Sequence, residues 1–184
     1  MDLFSIILSV VVLALVLFFV LVYNHLITAR NSVDHSWSQI DVQLKKRSDL
    51  IPNLIQIVKK YLKHEEKVFT KVTEARSKLI NAEKIVEKAN ANEELTSSLK
   101  KVFAVAEAYP KLRATENFKE LQLTLSAVEE KIAYSRQFYN EAVLYYNTAI
   151  QLFPNNLIAG LLGFTRREFF EATESEKKSP KAKF

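Results

Sequence analysis

The chain contains no cysteine, which excludes disulfides and thiol chemistry on either side of a membrane. Glycine and proline are nearly as scarce, at two and four residues. A β-sandwich or barrel needs turn formers every ~8–12 positions, so neither can be built here. With Gly160 and Gly163 alone there is no phosphate-cradling loop and no dinucleotide fingerprint. The three histidines are equally unhelpful to catalysis. The residues three before His25, His35 and His64 are Val22, Ser32 and Tyr61, so the Glu-x-x-His pairs of di-iron bundles are missing. His64-Glu65-Glu66-Lys67-Val68 lacks the second histidine of a zinc protease helix. No serine sits in a nucleophile elbow. The reading is a non-enzyme with no catalytic residues, no cofactor and no metal site.

What is present begins with Leu3–Val22. Seventeen of these twenty residues are Leu, Ile, Val or Phe, and none is charged. A helix of that length spans about 30 Å, the thickness of a bilayer's hydrocarbon core. A cleaved signal peptide would want a basic start, a shorter apolar core and a small-residue exit. Asp2 and Tyr23-Asn24-His25-Leu26 supply neither flank. A buried core helix would show a polar stripe, and this one has none. The segment is therefore read as a retained single-pass anchor. Arg30, Lys45, Lys46 and Arg47 all follow the span, which favours its start outside and the large domain in the cytoplasm.

The remaining chain, about 155 residues, suffices for one domain with a core. Of all residues, 26% are charged and 48% hydrophobic, and long helices are the remaining way to order them. The net charge of +5 becomes +6 without Asp2. Acidic and basic residues alternate, so the surplus reads as a solvated face, with anionic lipid headgroups as a secondary partner.

Val33, Trp37, Ile40, Leu44 and Ile51 form one apolar stripe, with Trp37 a core anchor rather than a ligand platform. At Pro52 the helix must either break or kink. A cap at Ser48 or Asp49 favours a break, while the in-phase stripe Ile51, Leu54, Val58 favours a kinked continuation. The break is the preferred reading. A second helix is predicted over 52–88, with the seam Leu54, Val58, Tyr61, Glu65, Val68, Val72, Ala75, Leu79, Ala82, Val86. Asn90-Ala91-Asn92 then connects to a third helix capped by Asn92 and running to Ala108, where Tyr109-Pro110 ends it. A fourth helix starts at an N-cap, Thr115, and reaches Leu152, with Pro154-Asn155-Asn156 as its stop. Leu157–Leu162 forms a short helix with Gly163 as C-terminal cap, and Phe164, Phe169 and Phe170 pack back. The domain boundaries are 1–25 for the anchor, 26–173 for the helical domain and 174–184 for a disordered polar tail.

The candidate sites are accordingly structural, a polar network of Arg47, Glu65, Arg136, Asn140 and Asn147. Glu65 is the one charge in the second seam and needs a buried cation, with Arg47 or Arg136 as candidates. Tyr139-Asn140 and Tyr146-Asn147 lie seven apart on one helix face. Their amides either satisfy groups within the bundle, the preferred reading, or form a strip for another helix. The tyrosines fall on the helical seam, so base stacking and nucleic acid are not indicated.

Together these residues resemble the LemA family of bacterial membrane proteins. The resemblance runs through Tyr23-Asn24, Arg30-Asn31, Trp37–Leu44, Arg47 and Asp49–Leu54, then His64-Glu65, Tyr109-Pro110, Asn117-Phe118 and Leu121-Gln122. Arg136, Tyr139-Asn140, Tyr146-Asn147, Phe153-Pro154 and Gly163-Phe164 complete it in the expected order. It implies an all-α protein of the inner bacterial membrane, a transmembrane helix followed by an up-and-down antiparallel four-helix bundle. That tilts Pro52 further towards a break. No reaction is implied, and the family's role is poorly defined. Partnering with other membrane proteins is the implied function, with a self-assembling, membrane-shaping homo-oligomer as the alternative and no small-molecule substrate.

Overall fold

Apolar spacing of three and four builds only helices, and the computed structural model contains nothing else that is regular among the residues it describes, 2–62 and 65–170. In chain order these are α1 (Leu3–Lys59), α2 (Glu66–Asn81), α3 (Ile85–Ala106), α4 (Pro110–Ala114), α5 (Glu116–Ala149) and α6 (Asn155–Leu161). The all-α expectation holds. Lys63, His64 and the polar tail at 174–184 lie outside the described residues. The chain divides into two compact units. The first pairs everything up to Trp37 with Phe138–Glu168, and the second comprises Ser38–Gln137 and the segment from Phe169.

In the second unit Pro52 does not break the helix. It sits inside α1, and Ile51, Leu54 and Val58 are completely buried around it. A helical proline orphans the carbonyl four residues back, here that of Ser48. Arg76 of α2 donates to that carbonyl from Nε at 2.8 Å. The in-phase stripe wins because the lost bond is replaced from a neighbouring helix.

The break falls later, after Lys59, and a second one falls at Ala82-Glu83-Lys84. The predicted helix over 52–88 is therefore three pieces: the end of α1, α2 and the start of α3. Tyr61 leaves the core and Leu62 enters it, while Phe69, Val72, Ala75 and Leu79 carry the α2 seam. Asn90-Ala91-Asn92 is not a connection but part of α3, and Asn92 is buried rather than capping. Glu87 reaches back to the Lys84 amide at the true start of α3. The predicted third helix stops at Ala106, and α4 follows it.

Helix α5 buries Phe118, Leu121, Leu125, Val128, Ile132, Tyr139, Tyr146 and Ala149 at steps of three, four and seven. The seam expected to run on to Phe153 stops short, since Phe153 is exposed. Thr115 directly precedes α5, and its hydroxyl donates to the Leu112 carbonyl at 2.7 Å. In the first unit, Val22, Leu26, Ala29 and Val33 are the buried face of α1. Trp37 packs edge-on against Tyr139 with ring centroids 5.5 Å apart, though it is half-buried at the edge of the core rather than within it. Gly163 has φ +71°, and the Phe164 amide reaches the Ala159 carbonyl at 2.9 Å. This left-handed closure of α6 is the one place where glycine's freedom is required.

Candidate functional site

Within the second unit the polar centre is Arg47, on the buried face of α1 one heptad after Ile40. Its Nη1 donates to Asn92 Oδ1 at 2.5 Å and to Thr96 Oγ1 at 2.9 Å, both on α3. Its Nη2 lies 2.6 Å from Glu129 Oε2 on α5, close but outside hydrogen-bonding angles, so the pair is chiefly electrostatic. The Thr96 hydroxyl spans Glu129 Oε1 at 3.4 Å and the Asn92 carbonyl at 3.0 Å. Burial lowers the Arg47 guanidinium below its ordinary value, and the charge of Glu129 opposes that shift. Arg47 Nε and Gln43 Oε1, one turn apart on α1, are buried without a hydrogen-bond partner among the described residues. A fork of five donors holding three helical segments can set their register, while its chemistry is that of a permanent cation.

Glu65 is not the partner of Arg47. It is half-buried and accepts from the Tyr109 hydroxyl at 2.9 Å, and this bond raises the phenol above its usual range. Arg136 lies over the ring of Phe170, 4.9 Å from its centroid. Lys88 pairs with Asp41 across α3 and α1, and Lys78 with Glu94 at 2.8 Å across α2 and α3.

The first unit holds a different polar strip on α5. The Tyr139 hydroxyl donates to the Glu168 carbonyl at 2.8 Å and the Tyr146 hydroxyl to the Thr165 carbonyl at 2.9 Å. Between them, Asn147 Nδ2 donates to the Arg167 carbonyl and its Oδ1 accepts the Arg167 amide, both at 2.9 Å. The segment after Gly163 is thus held by its main chain, in the paired manner of a β-ladder. Arg167 adds an ion pair with Asp34 of α1 at 3.0 Å, and Arg30 covers the ring of Phe164 at 5.4 Å. Burial pushes the Tyr139 phenol up to about 12, with Arg167 opposing the shift. Asn140, one heptad before Asn147, is half-buried on α5.

Of the five sequence candidates, then, Arg47 and Asn147 centre separate networks, in different units. The sequence reading missed Asn92, Thr96 and Glu129. Asn92 had a signal, since it falls on the Leu95, Leu99, Val102, Ala106 seam extended one step back. Thr96 and Glu129 had none. No group of three His, Asp or Glu side chains among the described residues is placed to hold a metal. A groove of about 530 Å³ runs along the end of α1 and α2, where Lys59 overhangs Phe69 beside Glu66 and Glu74.

Helix α1 also carries an 18-residue window of mean hydropathy 3.3, long and apolar enough to cross a membrane. It is a candidate transmembrane helix. Comparison with known proteins places this architecture among relatives. Magnetosome protein MamQ 2 of Paramagnetospirillum magneticum is 25% identical over 175 residues, covering 81% of this chain. The chain spans less than two thirds of that relative's length, 64%. MamQ of Magnetospirillum gryphiswaldense is 24% identical over 192 residues, covering 89% of this chain and 71% of the relative. Protein LemA of Metamycoplasma hominis is 26% identical over 158 residues, with coverage of 84% and 71%. The LemA family pattern itself matches residues 36–184, most of the chain including the Arg47 network and the α5 strip. On that match, the protein belongs to the LemA family.

Proposed function

We propose that the protein is a single-pass, membrane-anchored helical module that binds other membrane or membrane-proximal proteins and performs no catalysis. The observation that carries this reading is the continuity of α1. One helix bears the apolar segment and also supplies Ile40, Leu44, Ile51, Leu54 and Val58 to a buried core. Residues 1–25 serve as the anchor and 26–173 as the working domain, with the anchor's start outside and the domain in the cytoplasm. The polar centres support the reading, since both consist of groups that position helices and main chain rather than activate a nucleophile. Relatives named as magnetosome proteins, after a structure and not a reaction, support it further.

Crosslinking in intact bacterial membranes, followed by pull-down, tests the proposal. The full chain should retain specific protein partners that a variant lacking Leu3–Val22 loses. Crosslinks solely to further copies of the chain would favour self-assembly instead, and no crosslinks at all would end both readings. An impermeant thiol reagent applied to whole cells reads the orientation from one cysteine added at the C-terminus. The cytoplasmic placement predicts no labelling before lysis.

A further inference from the structure

A second stretch of this chain is as free of charge as the first. Between Glu141 and Arg166 lie 24 residues without one charged side chain, covering the end of α5, all of α6 and the turn between them. Its inner face is accounted for: Val143, Tyr146, Ile150, Ile158 and Ala159 are buried. Its outer face is not. Leu152, Phe153, Leu157, Leu161 and Leu162 are 57%, 79%, 65%, 77% and 42% exposed. Leu157 and Leu161, four apart, project from one side of α6.

The contacts fix where this hairpin stands along α1. His25 meets Tyr145 with centroids 5.9 Å apart, and Trp37 meets Tyr139, so α5 descends as α1 ascends. From Tyr145 the helix continues to Ala149, about 6 Å further towards the apolar end. The returning segment climbs again, with Phe164 at Arg30 and Arg167 at Asp34. Leu152–Leu162 is therefore the lowest part of the loop, beside the close of the apolar segment. Val22 is the first buried residue of α1, so protein packing and the exposed apolar run meet at this level.

We propose that the α5–α6 hairpin is a second membrane contact, its Leu152–Leu162 face seated among lipid acyl chains next to α1. Lipid is favoured over a protein partner because the exposed face continues the apolar surface of the anchor and lies on the same level. The flanks fit as well. Asn155 and Asn156 can hydrogen-bond at the headgroup boundary, Tyr145 and His25 suit it, and Arg30 and Arg166, the latter held on Gln151 Oε1, bring cations to its rim. Seating a short amphipathic helix about 5–10 Å deep is how interfacial helices bind. The consequence is a domain held by two points and unable to swivel freely about one helix.

This inference rests on the anchored reading of α1, and one experiment separates the two. Because the chain has no cysteine, single cysteines at Leu13, Leu161 and Ser32 can each carry an environment-sensitive fluorophore in the full-length protein. Reconstitution uses phosphatidylcholine vesicles with and without nitroxide-bearing acyl chains. Leu13 should be strongly quenched, Leu161 should reach about half of that loss or more for its shallower depth, and the exposed Ser32 should lose little. Quenching at Leu13 with Leu161 behaving like Ser32 would overturn the hairpin contact and leave the anchor standing. A blue-shifted Leu161 signal that lipid nitroxide does not quench would mean a protein covers the face, and would equally overturn it. No quenching at Leu13 would refute the anchor itself.

Discussion

The two units solve the same problem, a polar group beneath an apolar seam, in opposite ways. Around Arg47 the solution is ionic and made between side chains: one guanidinium, a carboxylate, an amide and a hydroxyl from three helical segments. Along Tyr139, Tyr146 and Asn147 it is neutral and made to main chain, so these three side chains grip the segment after Gly163 whatever side chains it carries, with Arg167–Asp34 added at its edge. A buried charge demands particular partners and fixes which helices may assemble. Neutral donors aimed at carbonyls demand only an extended backbone in register. The first arrangement specifies, and the second clasps.

Truncating the ionic side should have the largest effect. Arg47→Ala takes a charged donor from Asn92 and Thr96 and the counter-charge from the half-exposed Glu129. Two hydrogen bonds from a charged donor, at about 1.5–3 kcal/mol each, put the cost near ~3–5 kcal/mol in urea unfolding. A loss under about 1 kcal/mol would mean the network is decoration. Next comes the Arg76 bond to Ser48. Arg76→Ala should cost about 1.5–3 kcal/mol in the natural chain, the range for a hydrogen bond from a charged donor. On a Pro52→Ala background the restored amide supplies the Ser48 carbonyl, and the cost of Arg76→Ala should fall below about 0.5 kcal/mol. Equal costs on both backgrounds would deny that Arg76 compensates the proline.

The neutral clasp should yield smaller numbers. Asn147→Ala removes two main-chain bonds, so about 2 kcal/mol of local stability, read as faster hydrogen exchange at the Arg167 amide, is expected. Arg166→Ala, removing only a solvent-exposed side-chain bond to Gln151 Oε1, should stay within about 0.5 kcal/mol. If Arg166→Ala matched Asn147→Ala, the clasp would be reading side chains after all. Tyr139→Phe should cost about 1 kcal/mol below pH 10, half of the Asn147 effect. Its sign with pH follows from burial, which keeps the native phenol protonated to about 12. Above about pH 10 the unfolded tyrosine ionises and the native one does not, so this contribution is whole below pH 10 and lost by about pH 12. The gap between natural chain and variant should close across that window.

The seams of α1 and α5 were legible because periodicity is a local property of a strand of sequence. The end of α1 at Lys59 and the break at Ala82–Lys84 were not, since no glycine or proline marks them. A weak trace exists at the second. The α2 seam runs through Leu79 to Val86, whereas the α3 seam traced back from Leu95 and Asn92 reaches Lys88 and Ile85. The two are out of phase by a residue, and Val86 is exposed. A strict heptad reading runs over that slip instead of stopping there. Glu65 misled for a related reason: it stands at the N-terminal end of α2, where a seam position becomes a helix end within reach of the Tyr109 hydroxyl.

By itself the sequence determined that the chain is helical, that its first helix has a bilayer-length apolar segment, and that α6 closes on Gly163. Composition, apolar run length and residue spacing act within a few turns of chain, so each is complete without knowing what lies opposite. Tertiary structure alone decided that Pro52 is tolerated, that Arg47 meets Glu129, and that Tyr139, Tyr146 and Asn147 grip a main-chain segment. Each depends on a group remote in sequence arriving within about 3 Å, the range over which a hydrogen bond or ion pair exists at all.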